Sequence, residues 1–177
     1  MAYQGEETAT ADPGDYADQV GGTSNRAMFL TFRMCAERFA LPVESVNEIL
    51  DEMPETPVPN SVPWASSLIN VRGNVVPIID IHHRLGLVQS DKTDLNRLVV
   101  LDVKVWSELT RLAVRVDSVE EVIEADSDRF EVVPELGARW PAEFINGVAH
   151  HNDDLVVLLN CENLFRIDRR TGPFGPS

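Results

Sequence analysis

The sequence predicts an all-β fold, built as a barrel or a sandwich of many short strands. Apolar side chains occupy every second position at Met28, Leu30, Phe32 and Met34, which is the period of a β-strand. Similar short runs recur at regular spacing up to about residue 160. Two runs, Leu98 to Leu101 and Leu155 to Leu159, lack alternation, which indicates strands that are buried on both faces.

The overall charge and the cysteines limit the class of protein. The chain has 177 residues and a net charge of −14, so its surface repels phosphate groups, and we expect no nucleic-acid partner. It contains neither a signal peptide nor an apolar run of roughly 18 residues, so we expect no direct membrane insertion and a soluble, cytoplasmic protein. Cys35 and Cys161 lie far apart, which favours free, buried thiols in a reducing compartment.

Both ends of the sequence are predicted to be disordered tails. Residues 1–25 are acidic and contain no basic residue, so they bury too little apolar surface to offset their ordering entropy. Residues 168–177 are rich in Gly-Pro steps and are predicted to be a flexible C-terminal tail. The folded domain is therefore expected over residues 26–167.

The first half of this domain reads as strands that are interrupted by one loop. After the first strand, short strands are predicted at Phe39 to Leu41 and at Val46 to Leu50. The segment from Pro54 to Pro63 contains four prolines, which exclude a helix or a central strand and predict an extended loop. Trp64 ends this loop and is expected to anchor it to the core.

A hairpin and a short helix follow the loop. Ser67 to Arg72 and Val75 to Ile79 flank Gly73-Asn74, which is typical of a hairpin turn. Asp80 is the expected N-cap of a helix over His82 to Leu85, and Gly86 ends that helix.

The second half continues the pattern of strands. The remaining strands are predicted at Leu98 to Val103, Leu112 to Val116, Val119 to Ile123, Phe144 to Ala149 and Leu155 to Leu159. The last two flank a polar turn over residues 150–154. A short helix around Glu162 to Phe165 ends the domain.

The sequence gives no sign of an enzyme. It lacks a nucleophile elbow, a phosphate-binding glycine-rich loop and a Rossmann fingerprint, so we expect no catalytic residues and no cofactor. His82-His83 and His150-His151 are metal-ligand types, but adjacent residues of a strand point to opposite faces. Without supporting Cys or His spacing, we expect a solvated helix turn, a solvated hairpin turn and no metal site.

Two charged residues lie within apolar stretches. Arg72 is either an exposed residue beside a hairpin or a partner-binding arginine on a rigid strand, since its planar guanidinium can hold a carboxylate or several carbonyls. Glu48 is either on the solvent side of an alternating strand or part of the same interface.

Three blocks in one order resemble the CheW-like domain family. Residues 29–33 and 39–49 (FLTFR, FALPVESVNEI) resemble its opening strands and its Val-x-Glu-Ile segment. Residues 68–81 (LINVRGNVVPIIDI), followed by RLGL at 84–87, match its central signature, and residues 144–148 with 155–160 resemble its closing hairpin. The chain departs from the family pattern at four places: Ser67 for a frequent Gly, Val71 for a usual Leu, Asn160 for a frequent Asp, and Arg115 in an apolar strand.

The resemblance implies two SH3-like five-stranded β-barrel subdomains that are packed together with short helices. It also implies a non-enzymatic scaffold that couples methyl-accepting chemoreceptors to a CheA-type histidine kinase, at receptor arrays beneath the inner membrane. The implied partners are the cytoplasmic tip of the receptor, the regulatory domain of the kinase and other CheW-like domains in rings. The implied partner-binding residues are Val46, Glu48, Ile49, Asn70, Arg72 and Gly73, together with Gly147, which is either structural or kinase-facing.

Three alternatives stay open. The chain is a general chemotaxis adaptor or a specialised paralogue of a non-swimming pathway, such as surface motility or development. It binds both receptor and kinase, or a receptor alone. The alternative from a different class is a β-barrel that binds a small ligand or a metal.

Overall fold

The computed structural model describes residues 25–133 and 139–166, and these residues are mostly strand, so the predicted all-β fold class is confirmed. The strands are β1 (Arg26–Met34), β2 (Glu37–Pro42), β3 (Val46–Asp51), β4 (Thr56–Pro57), β5 (Ser67–Val71), β6 (Asn74–Ile79), β7 (Arg97–Val105), β8 (Glu108–Val116), β9 (Ser118–Asp126), β10 (Ile145–His151) and β11 (Asp154–Leu159). The α-helices of the described residues are α1 (Ile81–Leu85) and α2 (Cys161–Leu164), and short 3-10 helices cover Val43–Ser45, Ser127–Arg129 and Ala142–Phe144. Within the described part of the chain, no helix has the length and apolar character needed to cross a membrane. The predicted tails lie outside the described residues, apart from Asn25.

The strands form two sheets in a nested order. The first sheet has the order β10-β11-β2-β1-β9, and the second has the order β3-β7-β8-β6-β5-β4. The pairs β11–β2 and β6–β8 are parallel, and the other neighbouring pairs are antiparallel. The chain thus starts the first sheet, builds the whole second sheet and returns through β9 to complete the first. The two SH3-like barrel subdomains are therefore as expected, and the second contains one additional strand, the two-residue β4.

The core consists of three apolar clusters. One cluster belongs to the first sheet and contains Phe29, Ala40, Ile123, Val156 and Leu158. A second belongs to the second sheet and contains Ile69, Val71, Val76, Ile78, Leu98, Val100 and Ala113. The third and largest takes side chains from both sheets, so it forms the contact between the two subdomains.

Strand β7 shows how one strand contributes to two clusters. Leu98 and Val100 join the cluster of the second sheet, whereas Val99 and Leu101 join the cluster between the sheets. All four are fully buried, which confirms the prediction that this run is covered on both faces. The similar run at the end of the chain is buried only from Val156 onward, because Leu155 lies beside a turn and is 43% exposed.

Asp80 and Gly86 cap the short helix α1 as predicted, and the helix begins one residue earlier than predicted, at Ile81. The Oδ1 atom of Asp80 accepts a hydrogen bond from the backbone N–H of His83 at 3.2 Å, and Gly86 ends the helix in the left-handed conformation. One face of the helix is buried, including His82, which is 2% exposed. The expectation of a solvated turn is therefore wrong for His82, because the helical period turns it toward the core, and right for the exposed His83.

The second histidine pair is also placed differently from the expectation. His150 and His151 are the last residues of β10, and the turn itself consists of Asn152 and Asp153, both with positive φ. His150 is exposed and His151 is half-buried. The strand continues two residues further than predicted because His150 pairs with Leu155 across the hairpin.

The proline-rich segment is an extended loop that carries an edge strand. Its only regular pairing among the described residues is β4 with β5, at the edge of the second sheet, where proline is tolerated. Trp64 packs against the cluster between the sheets, as predicted. The guanidinium carbon of Arg84 lies 5.2 Å from the centroid of the Trp64 ring and 4.8 Å from that of Phe144, which joins the loop to the other subdomain.

Candidate partner-binding site

Asn70, Arg72 and Gly73 meet at the turn between β5 and β6. The last cross-strand pair is Val71 with Asn74, so the central residues of the turn are Arg72 and Gly73. Both have positive φ, 53° and 85°, as a type I′ hairpin turn requires. The backbone N–H of Gly73 donates to Oδ1 of Asn70 at 2.8 Å. The predicted turn at Gly73-Asn74 is therefore wrong by one residue, because this hydrogen bond holds Gly73 at the second central position.

Arg72 consequently lies at the tip of the hairpin and not on a strand. Its side chain is 81% exposed. A left-handed backbone costs a residue with a Cβ atom about 1–2 kcal/mol relative to the right-handed conformation. The other two-residue hairpin turns, at Cys35-Ala36, Trp106-Ser107 and Asn152-Asp153, have the same left-handed backbone, so the conformation of Arg72 follows from the turn type.

Glu48 is the partner of Arg72 within the chain. Nη2 of Arg72 lies 3.1 Å from Oε2 of Glu48, whose side chain is only 19% exposed. Strand β3 is at one edge of the second sheet, and β5 and β6 are near its other edge. The sheet is curled, so the ion pair between Glu48 and Arg72 bridges its two sides. Glu48 pairs with Val100 and shares a face with Leu50, both of which contact the apolar cluster of the second sheet. It therefore lies on the inner face of β3, and not on its solvent face.

The other two candidate residues of β3 have different environments. Ile49 is on the opposite face from Glu48 and is 42% exposed. Val46 packs against the cluster between the sheets. A register shift between Val46 and Glu48 separates them, so the two ends of this short strand serve different faces. Of the two apolar residues, Ile49 is therefore exposed and Val46 is half-buried.

A second group of charged residues lies beside this site, and no sequence motif predicted it. Arg111 binds Asp102 through two hydrogen bonds of 2.7 Å and 2.9 Å, and Asn47 donates to the same carboxylate at 2.8 Å. These hydrogen bonds, chiefly those from Arg111, hold the pKa of the Asp102 carboxyl below its ordinary value. Asp102 and Arg111 meet because the register of β7 and β8 places them opposite each other. The sequence alone does not specify that register.

Gly147 is not part of this arrangement. It lies buried on β10, in the first sheet, next to a register shift. A Cβ atom at this position would stand 2.9 Å from Cβ of Phe130 and 3.0 Å from the backbone oxygen of Glu131. The geometry favours the structural role for Gly147 over the kinase-facing one.

Comparisons with known proteins agree with this architecture. The family model for the CheW-like domain matches residues 28–169. The chain is 28% identical over 136 residues to the probable chemotaxis protein CheW of Rhizobium etli, which covers 77% of this chain and 85% of that protein. It is 32% identical over 128 residues to Protein PilI of Pseudomonas aeruginosa, which covers 71% of this chain and 68% of that protein.

A solved structure shows the same fold. The scaffolding protein TtCheW from Thermoanaerobacter tengcongensis superposes with a TM-score of 0.71, at 23% sequence identity, over 80% of this chain and 89% of that chain. The family match covers most of the described residues and includes both barrels. This chain therefore belongs to the CheW-like domain family.

Proposed function

We propose that this chain is a non-enzymatic scaffold that couples methyl-accepting chemoreceptors to a CheA-type histidine kinase. The observation that carries the proposal is the CheW-like match over residues 28–169, which spans both subdomains. Relatives named chemotaxis protein CheW and a solved scaffolding protein of the same fold support it. In this role the chain binds the receptor tip and the regulatory domain of the kinase and holds the two together. It does so alongside other CheW-like domains, at arrays beneath the inner membrane.

The second barrel offers the partner-binding surface in this proposal. Its residues are Val46, Glu48, Ile49, Asn70, Arg72 and Gly73, on β3 and on the β5–β6 turn. Glu48 holds Nη2 of Arg72, so the arginine is partly ordered before a partner arrives. Pre-ordering lowers the entropy lost on binding, and the remaining guanidinium donors can meet a carboxylate or backbone carbonyls.

Replacing Arg72 with asparagine is expected to weaken partner binding by about 1–2 kcal/mol. Asparagine tolerates the left-handed backbone, so the hairpin remains folded while the guanidinium is lost. Calorimetry with the receptor tip and with the kinase regulatory domain, each measured separately, identifies the partner that contacts Arg72. Thermal unfolding of the same samples reports whether the fold is intact.

Arg129→Asn is the matched control, because Arg129 has an 86% exposed side chain in the other subdomain. It makes the same change of charge and is expected to leave both affinities unchanged. Equal weakening by the two variants would indicate a general charge effect and contradict a contact at Arg72. Glu48→Gln removes the ion pair but keeps the guanidinium, and it should weaken binding less than Arg72→Asn.

A specialised paralogue remains the second candidate, because one relative carries a different name, Protein PilI, at 32% identity. Pull-down with the receptors and kinases of each chemosensory pathway in the same cell separates the two candidates. Retention of the partners from one non-swimming pathway alone would favour the paralogue.

We also propose that residues 26–167 suffice for coupling, and that the acidic segment 1–25 and segment 168–177 contribute no contact. Deleting residues 1–25 is expected to leave both affinities within twofold of those of the full chain. The support is compositional, since this segment has few apolar residues and no basic residue. Loss of receptor binding after the deletion would show that the acidic segment takes part.

A further inference from the structure

Three potential metal ligands from distant parts of the sequence meet at the junction of the two sheets. Cys35 lies in the β1–β2 turn, His82 lies on α1, and Asp117 lies between β8 and β9. The thiol sulfur, an imidazole nitrogen and a carboxylate oxygen all lie within 4.8 Å of one another. The backbone N–H of Cys35 donates to Oδ2 of Asp117 at 2.7 Å, which fixes the turn against the carboxylate.

The buried histidine points a free nitrogen into this cluster. His82 is 2% exposed, and its Nε2 atom has no hydrogen-bond partner among the described residues. That atom lies 3.5 Å from Oδ1 of Asp117. An unsatisfied buried polar atom costs stability, and a metal ion bound to Nε2 would remove that cost. This observation is independent of the clustering itself.

The other nitrogen of the ring has the environment of a metal-bound histidine. Nδ1 of His82 faces Oδ1 of Asp80 at 3.6 Å. Carboxylates therefore lie beside both ring nitrogens, and when Nε2 binds a metal together with Asp117, the Asp80 carboxylate holds the ring proton at Nδ1. Asp80 also caps α1 through its contact with His83, so the carboxylate and the ring are held by the same short helix.

The donor set and the spacing favour zinc. A tetrahedral Zn²⁺ ion with bonds of about 2.0–2.3 Å holds its ligands about 3.3–3.8 Å apart. The 3.5 Å between His82 and Asp117 is already in this range, and the 4.8 Å limit on the other separations requires only small movements of the Cys35 side chain. This side chain is half-buried, and its thiol, which donates to the backbone oxygen of Val88 at 2.7 Å, would turn from that oxygen to the metal. A thiolate and an imidazole exclude Mg²⁺ and Ca²⁺ as the preferred ions.

We propose that Cys35, His82 and Asp117 form a binding site for a Zn²⁺-type transition-metal ion, with a fourth position open toward Ser90. Oγ of Ser90 lies 3.2 Å from Oδ2 of Asp117 and 3.8 Å from Sγ of Cys35, so a water or this hydroxyl can complete the coordination. Binding releases the thiol proton of Cys35 to solvent as the sulfur–metal bond forms. The ion joins the β1–β2 turn of the first sheet to α1, which lies between β6 and β7 of the second sheet, and to the connection between β8 and β9.

Cobalt titration of the full chain tests this site. The reduced protein, stripped of metal with a chelator, is expected to bind one equivalent of Co²⁺ and to develop a thiolate-to-cobalt charge-transfer band. Zn²⁺ is expected to displace the cobalt and to raise the midpoint of thermal unfolding. Cys35→Ser should abolish the band, and Asp80→Asn, which retains the helix cap, should weaken binding by about 10- to 100-fold.

Two variants separate the site from incidental binding. Cys161→Ser is the matched control, because burial raises the pKa of the Cys161 thiol to about 12 and that residue lies on α2, so the band should persist. Asp117→Asn preserves the size of the side chain and should lose affinity even though the protein stays folded. Cobalt binding without a thiolate band would be binding to surface carboxylates and would overturn the proposal. A band that survives Cys35→Ser, or no binding at all, would overturn it as well.

Discussion

Replacing Arg115 with methionine is expected to lower the free energy of unfolding by about 2–3 kcal/mol. The Arg115 side chain on β8 is 12% exposed. Its Nε and Nη2 atoms donate to the two carboxylate oxygens of Glu52 at 2.6 Å and 3.3 Å, and Nη2 also donates to Glu55. Methionine fills similar space but leaves two half-buried carboxylates with Lys92 alone as a cation, and that exposed ammonium lies 3.9 Å from Glu52 and 3.8 Å from Glu55. Urea unfolding at neutral pH measures the loss.

A control and a rescue test the cause of this loss. Arg26→Met removes an ion pair with Glu124 whose side chains are 64% and 51% exposed, so it should change stability by no more than about 0.5 kcal/mol. Replacing Glu52 and Glu55 with glutamine in the Arg115→Met background should recover most of the loss, because no unpaired buried charge remains. A triple variant as unstable as Arg115→Met would contradict the electrostatic explanation.

Two departures from the family pattern, Ser67 and Arg115, share one structural explanation. Oγ of Ser67 donates to Oε2 of Glu55 at 2.7 Å, so Ser67 and Arg115 bind the same carboxylate. Glu55 lies in the proline-rich loop, one residue before β4. The two departures therefore fasten this loop to β5 and to β8. They contribute to the stability of the second barrel, which carries the proposed partner-binding surface.

The substitution Gly147→Ala is expected to destabilise the fold by about 2–3 kcal/mol. The added Cβ atom would stand 2.9 Å from Cβ of Phe130 and 3.0 Å from the backbone oxygen of Glu131. Both are atoms that cannot rotate away, and Glu131 is tied to Val148 by backbone hydrogen bonds of 2.9 Å in both directions. The segment after β9 would have to move away from β10. The midpoint and slope of urea unfolding measure the effect.

Gly73 supplies the contrasting control, since its requirement is conformational and not steric. No atom lies within 4 Å of a Cβ atom at Gly73, but its φ is 85°. Asparagine tolerates positive φ, so Gly73→Asn should be mild, whereas Gly147→Asn should be at least as severe as Gly147→Ala. If Gly147→Ala is as stable as the original chain and loses kinase binding, Gly147 faces the kinase and the steric explanation is wrong.

The sequence predicted the elements of this fold well, because its local signals are strong. Alternating apolar residues identified the first strand, and the unbroken run at Leu98 to Leu101 identified the doubly buried β7. Asp80 and Gly86 marked the two ends of α1 correctly. The family resemblance then supplied the two barrels, which no local pattern could specify.

The sequence predicted the individual partner-binding candidates but not how these residues are arranged in space. Arg72 and Glu48 were separate hypotheses from separate apolar stretches, and only the curl of the second sheet brings them to 3.1 Å. The position of Arg72 in the turn depended on the hydrogen bond from Gly73 to Asn70, which shifts the turn by one residue. Gly147 was grouped with these residues but lies in the other sheet.

What the sequence determined by itself is the all-β class, the positions of the strands along the chain apart from β4, and the family. What only the tertiary structure decided is which distant side chains meet: Cys35 with His82 and Asp117, and Arg115 with Glu52 and Glu55. The physical reason is that the period of a strand specifies its two faces but neither its neighbour nor its register. Contacts across sheets depend on pairing and curvature, and these are set by the packing of the whole chain.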